Sequence, residues 1–183
     1  MLLWSYSNAS QAKHYSQFMA GRPSGTALVP DSTPEIGEEV CTVDTRGRLL
    51  IPSWIANGVA WLGGSPKRTT HSALAVCSSR GAIRLLEWDS NAESVLQRRK
   101  DLLERHDLDS VLLLEYRYRR ILIPKDLRIS LGAPGTAHLG LDPESAASVY
   151  VGFKGDCVSI ITQAFRDREI ADAEGGGLFA ELP

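Results

Sequence analysis

Cys41-Thr-Val-Asp-Thr-Arg-Gly-Arg-Leu-Leu-Ile-Pro52 is the stretch on which the fold turns. Its end recurs: Arg48-Leu-Leu-Ile-Pro52 aligns with Arg120-Ile-Leu-Ile-Pro124, 72 positions later (120 − 48). An internal repeat sets the architecture before any single element does. Each copy reads as a short apolar strand, a tight turn carrying arginines, a second apolar strand, and a proline opening a short helix. In the first copy Asp44-Thr-Arg-Gly47 has aspartate first and glycine fourth. Aspartate accepts backbone hydrogen bonds inside a turn, and glycine tolerates positive φ. That chemistry suits a hairpin with a type I turn and a bulge at Gly47, with Arg46 and Arg48 at the tip in solvent. Pro52 fits the first turn of a helix, where no amide hydrogen is needed. The plain alternative is a solvated hairpin whose arginines keep a sheet edge soluble.

Outward from this stretch, residues 52–58 read as a short helix stopped by Gly58, with Trp54, Ile55 and Trp61 in the core. Gly63-Gly-Ser-Pro66 is a break. Residues 72–77 and 83–86 are strands around the turn Ser78-Ser-Arg-Gly81. Ser90-Asn-Ala-Glu93 has the form of a capping box. Behind it Ala92, Val95, Leu96, Leu102 and Leu103 share one helical face, and Arg98, Arg99 and Lys100 lie mostly off it, as a solvated face or a DNA contact. In the second copy, residues 111–114 read as an apolar strand buried on both faces. Residues 116–120 follow as an altered turn, 124–131 as the short helix stopped by Gly132, and 139–141 as a strand. Residues 148–151 and 157–161 then form strands around Phe153-Lys-Gly-Asp156, and 162–173 a last helix with Ala164 and Phe165 inward.

A chain of 183 residues supports one domain or two small halves. The net charge of −2 argues against a binder of nucleic acid that works through a general positive field. Positive charge is local instead: residues 115–128 hold Arg117, Arg119, Arg120, Lys125 and Arg128 against Glu115 and Asp126. Acidic residues collect in 31–39 and 167–174. Cys41, Cys77 and Cys157 are an odd number without a C-x-x-C pair, which points to a reducing compartment and to buried, unpaired thiols. The N-terminus lacks the charged-then-apolar pattern of a leader, and no stretch approaches the ~20 apolar residues of a membrane span. The expectation is a soluble cytoplasmic protein with no membrane partner. Residues 1–37, rich in Ser, Pro and Gly, read as a poorly ordered extension with a short helix at 12–20. Its Trp4, Tyr6, Tyr15 and Phe18 are available to dock on the body or on a neighbouring subunit. Residues 175–183 read as a flexible tail.

No G-x-S-x-G elbow, phosphate-binding glycine loop, H-E-x-x-H or dinucleotide glycine pattern is present. His14, His71, His106 and His138 are scattered, without the spacing of metal ligands. No enzyme, metal or cofactor is therefore expected.

Asp44-Thr-Arg-Gly-Arg48 with Leu-Leu-Ile-Pro52 resembles the D-x-[KR]-G-R-h-x-h-P signature (h apolar) of the MraZ family, within the AbrB-like group of swapped-hairpin DNA-binding proteins. MraZ proteins carry two such motifs in tandem, and the likeness runs roughly from Glu38 to Ile170. In the second copy Tyr116 stands for Asp44, Arg119 for Gly47, and Arg120 keeps the arginine. The resemblance implies an α+β fold: a tandem-duplicated double swapped-hairpin β-barrel with short helices, built from a first repeat at 38–109 and a second at 110–174. Exchange of hairpins has a physical motive, because each half alone leaves sheet edges open.

The resemblance also implies double-stranded DNA with promoter repeats as partner, and a ring-like homo-oligomer whose weak contacts multiply. Its D-x-x-x-R arginine carries over to Arg48 and to Arg120. Arg46 matches the family's basic position, Arg117 and Arg119 add charge, and Asp44 and Gly47 set turn geometry. Arginine suits guanine edges and phosphates through its planar fork, and a β-ribbon fits the major groove. The implied function is a sequence-specific, nucleoid-associated transcriptional regulator, a repressor of a division and cell-wall gene cluster. Two readings stand beside it. One is an oligomeric scaffold of the same fold without DNA, favoured by the near-neutral charge and the broken second motif. The other is an AbrB-like antitoxin, against which the duplicated motif argues.

Overall fold

The computed structural model describes residues 36–63 and 70–175. Eight strands form: β1 (Ile36–Val43), β2 (Arg48–Leu50), β3 (Thr70–Ser79), β4 (Ala82–Glu87), β5 (Tyr118–Pro124), β6 (Arg128–Ser130), β7 (Ala147–Lys154) and β8 (Cys157–Ile161). The described residues also form six helices: α1 (Ser53–Gly58), α2 (Ala60–Gly63), α3 (Trp88–Glu104), α4 (Leu108–Arg117), α5 (Gly132–Leu139) and α6 (Gln163–Gly175). The fold is mixed α+β. All strands join one antiparallel sheet in the order β5-β3-β4-β8-β7-β1-β2-β6. The sheet curls into a nearly closed barrel, with its end strands β5 and β6 brought together by the turn at Pro124.

The pairing follows a pattern. β1 lies on β7, and β5 lies on β3. β2 pairs with β6 and β4 with β8. Interchanging β1–β4 with β5–β8 leaves this set of pairs unchanged. Consequently β1 lies along a strand of the second half of the chain, and β5 along a strand of the first.

Period-two alternation builds the barrel interior. Leu49, Ile51, Ile83, Leu85, Ile123, Ile129 and Ile160 are almost fully buried. Burying a side chain of that size stabilises by about 1.5–3 kcal/mol. α1 adds Ile55 to the same core. Trp54 of α1 and Trp61 of α2 are half-buried and keep their N–H groups satisfied: Trp54 donates to Glu39 Oε2 at 2.6 Å, and Trp61 to the Asp156 carbonyl at 2.8 Å. α3 and α4 pack on β3 from outside. There Leu74, Ala92, Leu102 and Val111 are buried apart from the barrel core.

Several expectations hold: the first hairpin, the helix after Pro52, the strand pairs around Gly81 and Gly155, and the last helix. Others are corrected. Residues 111–114 are helical, not a strand. His106, at φ +56°, ends α3, and the Asp107 carboxylate caps the Ser110 N–H at 3.1 Å to start α4. A run of four apolar residues does not separate strand from helix, so this cap decides. Residues 116–120 are not a turn, because α4 runs directly into β5. The boundary expected at 109/110 therefore falls inside α4. Residues 124–131 are a turn and a strand rather than a helix: Arg128, Ile129, Ser130 and Leu131 alternate out and in. Gly132 opens α5 instead of stopping a helix, and 139–141 form the end of α5 and its Gly140 cap. α3 starts at Trp88 ahead of the expected capping box, Leu96 and Leu103 are exposed, and Ala164 faces out. The expected extension yields Ile36 and Gly37 to β1; its remainder, with Trp4, Tyr6, His14, Tyr15 and Phe18, lies outside the described residues. So do Gly64 to Pro66 and the tail beyond Gly175.

Candidate nucleic-acid interface

The first turn has the geometry its residues suggest. The Gly47 N–H donates to the Asp44 carbonyl at 2.8 Å, and the Asp44 N–H to the Arg48 carbonyl at 2.9 Å. Gly47 sits at φ +69°, which closes the turn with a bulge. Asp44 Oδ1 accepts from the N–H groups of Arg46 and Arg48, both at 2.9 Å. Its Oδ2 takes Nε and Nη2 of the Arg48 guanidinium, each at 2.7 Å. The Arg48 backbone N–H is the largest influence holding the Asp44 carboxyl below the usual carboxylate range, followed by the Arg48 side chain and the Arg46 N–H. Arg48 is thus held in one orientation, with Nη1 outside the ion pair. A Cβ at Gly47 would stand 3.1 Å from Thr136 Cγ2 at a φ that L-residues resist. Gly47→Ala is expected to destabilise by about 1 kcal/mol or more, read as a lower midpoint in thermal or urea unfolding.

A second turn of the same build occurs at Pro124-Lys-Asp-Leu127. The Leu127 N–H donates to the Pro124 carbonyl at 2.9 Å, and Leu127 sits at φ +59°. The two turns also hold each other. The Leu131 N–H donates to the Gly47 carbonyl at 2.8 Å, and the Ile51 N–H to the Leu127 carbonyl at 3.0 Å. Gly47 and Leu127 are 80 positions apart (127 − 47), as are Ile51 and Leu131 (131 − 51). The geometric counterpart of Arg48 is therefore Arg128, not Arg120. Asp126 Oδ1 accepts from the Arg128 N–H at 3.2 Å, a weaker echo of the aspartate in the first turn.

Between the turns, β2 and β6 form a short ribbon with Leu49 opposite Ile129 at its centre. Those two side chains face the core. Arg48, Leu50, Arg128 and Ser130 face outward; Arg48 stands opposite Ser130, and Leu50 opposite Arg128. Arg48 and Arg128 are therefore diagonal neighbours on one face, within reach for long side chains. They share a shallow cleft of about 200 Å³ with Thr42, Asp44 and Leu50. Arg46 is exposed on the turn at one end of the ribbon, and Lys125 on the turn at the other. Arg48 and Arg128 thus lie on this face between an exposed cation on each turn, with Asp44 and Asp126 beside them.

The other arginines lie elsewhere. Arg117 ends α4. Arg119 shares the strand face of Ile121 and Ile123 and turns inward. Its Nη1 donates to the Leu131 carbonyl at 3.4 Å, its Nη2 approaches Cys77 Sγ at 3.6 Å, and its buried Nε has no partner among the described residues. Arg120 faces out from β5, stacked over the Trp88 ring at 5.0 Å and donating to Ser72 Oγ at 2.8 Å. Sequence reasoning thus placed Arg46 and Arg48 on the ribbon and missed Lys125 and Arg128 there. The alternation Arg-Ile-Ser-Leu after Pro124 was the available signal; the apparent match of the two prolines hid it.

No protein-family model matches this sequence, and no curated protein matches it. Among the described residues, no group of His, Cys, Asp and Glu is arranged to hold a metal ion, and no helix is long and apolar enough to cross a membrane.

Proposed function

We propose that this chain is a DNA-binding transcriptional regulator of the MraZ type, a tandem swapped-hairpin barrel that faces double-stranded DNA with the β2–β6 ribbon. The observation that carries the reading is the reciprocal pair of turns, with Arg48 and Arg128 brought side by side on the ribbon between them. The interchange symmetry of the strand pairs supports descent from a duplicated half that exchanges its first hairpin strand. A narrow two-stranded ribbon with outward arginines is a form that fits the major groove. The near-neutral total charge makes these cations, not a general field, the source of affinity. The resemblance in the first motif extends the proposal to a nucleoid-associated repressor of a division and cell-wall gene cluster, acting at repeated boxes as a homo-oligomer. We read the protein as a binder rather than an enzyme.

The alternative of a scaffold without DNA draws on two observations: Asp44 already neutralises part of Arg48, and Leu50 between the arginines is 51% exposed. Fluorescence anisotropy on the duplex upstream of the chain's own gene separates the two. The expected result is binding that weakens steeply between low and physiological salt, by about 0.9 in log–log slope for each phosphate neutralised. No binding near physiological salt overturns the regulator and favours the scaffold.

A further inference from the structure

Leu50 is the one large apolar side chain on the outward face of the β2–β6 ribbon. It is 51% exposed, stands directly opposite Arg128, and is one outward position along β2 from Arg48. Ser130 completes that face. A single exposed leucine is ordinary on a protein surface. This one is set apart by its neighbours. With Thr42 it lines the shallow cleft of about 200 Å³ that Arg48 and Arg128 share, so two methyl-bearing side chains sit between two guanidiniums.

That combination matches one feature of duplex DNA. Arginine forks fit guanine O6 and N7, and a small apolar side chain fits the thymine 5-methyl, the one methyl that base pairs present in the major groove. Phosphates would satisfy the guanidiniums but offer Leu50 nothing to bury against. The spacing agrees with base contact. Outward residues two apart on a strand are separated by ~6.8 Å. Base pairs follow one another at ~3.4 Å. A ribbon lying along the groove therefore sets Leu50 about two base pairs from the base that faces Arg48.

We propose that Leu50, with the Thr42 methyl beside it, determines specificity for thymine. It takes a thymine 5-methyl within about two base pairs of a guanine read by Arg48 or Arg128. The inference rests on the reading of the ribbon as the DNA-facing surface and deepens it: the ribbon reads a mixed guanine and thymine step, not phosphate charge alone. It also gives the exposed leucine a use other than contact with a protein.

The test removes only the methyl. Anisotropy titrations of the full chain compare the duplex upstream of its own gene with the same duplex in which deoxyuridine replaces every thymine, at one salt concentration. Base pairing and phosphates are unchanged. The parent is expected to bind the deoxyuridine duplex roughly fourfold more weakly for each methyl it buries. Leu50→Ala is expected to bind the thymine duplex more weakly and to bind both duplexes alike. The side chain is exposed, so the fold should hold; a circular-dichroism melt checks this, and Leu50→Ser replaces a variant that melts low. Leu122→Ala trims another exposed leucine, on β5, and should keep the parent's preference. Single deoxyuridine replacements then locate the methyl relative to the guanines at which Arg48→Ala and Arg128→Ala relax preference. No binding of the parent to either duplex overturns the regulator and this inference together. Equal binding of the parent to both duplexes overturns the thymine contact alone. A preference that survives in both Leu50 variants, or that Leu122→Ala abolishes, overturns it equally.

Discussion

Arg48→Ala and Arg128→Ala are each expected to weaken binding to the upstream duplex by about 1–3 kcal/mol, roughly 5- to 150-fold. Both side chains project from the outer face of the β2–β6 ribbon, and both follow a turn whose fourth residue has positive φ. A bidentate contact to a base edge loses both of its hydrogen bonds on truncation, so sequence preference relaxes as affinity falls. A phosphate contact loses affinity equally on all sequences and lowers the salt slope by about 1. Arg48→Ala is expected to show the larger change in preference, because Asp44 holds its guanidinium through two nitrogens while Arg128 meets only a backbone contact to Asp126. Arg120→Ala serves as the control: its guanidinium is engaged by Trp88 and Ser72 on a different part of the barrel, so DNA affinity should stay near that of the parent. Anisotropy titrations at two salt concentrations separate these outcomes. Loss on Arg120→Ala, with none on Arg48→Ala and Arg128→Ala, moves the interface away from the ribbon.

That control also marks where sequence reading stopped. The first hairpin was legible because each of its features is local. Asp44 and Gly47 impose the turn, and Pro52 marks the start of α1. The strand pairs around Gly81 and Gly155 were legible by the same logic of tight turns between apolar runs. The second hairpin was not, because its turn breaks the local rule. Leu127 occupies the left-handed position that glycine takes in the first turn, at a cost of about 1–2 kcal/mol. What sustains it is not local: the Ile51 N–H bonds its carbonyl, and its side chain packs on the barrel core. The repeated Leu-Ile-Pro string then favoured an alignment of Pro52 with Pro124, whereas Pro124 takes the place of Asp44. Arg119 illustrates the same limit. In sequence it is one of four arginines in a basic run; on β5 its parity with Ile121 and Ile123 turns it inward, and only the strand assignment reveals that parity.

Ile83 and Ile160 supply the largest expected effect on stability. They are direct partners across the β4–β8 pair, both fully buried, one from each half of the chain. Truncating either to alanine removes buried methylenes and leaves a cavity where two halves join, at an expected cost of about 2–5 kcal/mol. The two sites touch, so the double substitution is expected to cost less than the sum of the single ones. The pairing of β1 on β7 and of β5 on β3 adds a second expectation. Neither half keeps a complete sheet once the other unfolds, so each variant should melt in one cooperative transition at a lowered midpoint. Urea unfolding followed by tryptophan fluorescence and by far-ultraviolet circular dichroism checks this. Trp54 lies in α1 and Trp61 in α2, both in the first half, and the dichroism reports the whole chain. Coincident curves are the expected result for the parent and for all three variants. If Ile160→Ala instead shifts the dichroism while the fluorescence transition stays at the parent midpoint, the halves unfold separately and the barrel is not a single cooperative unit.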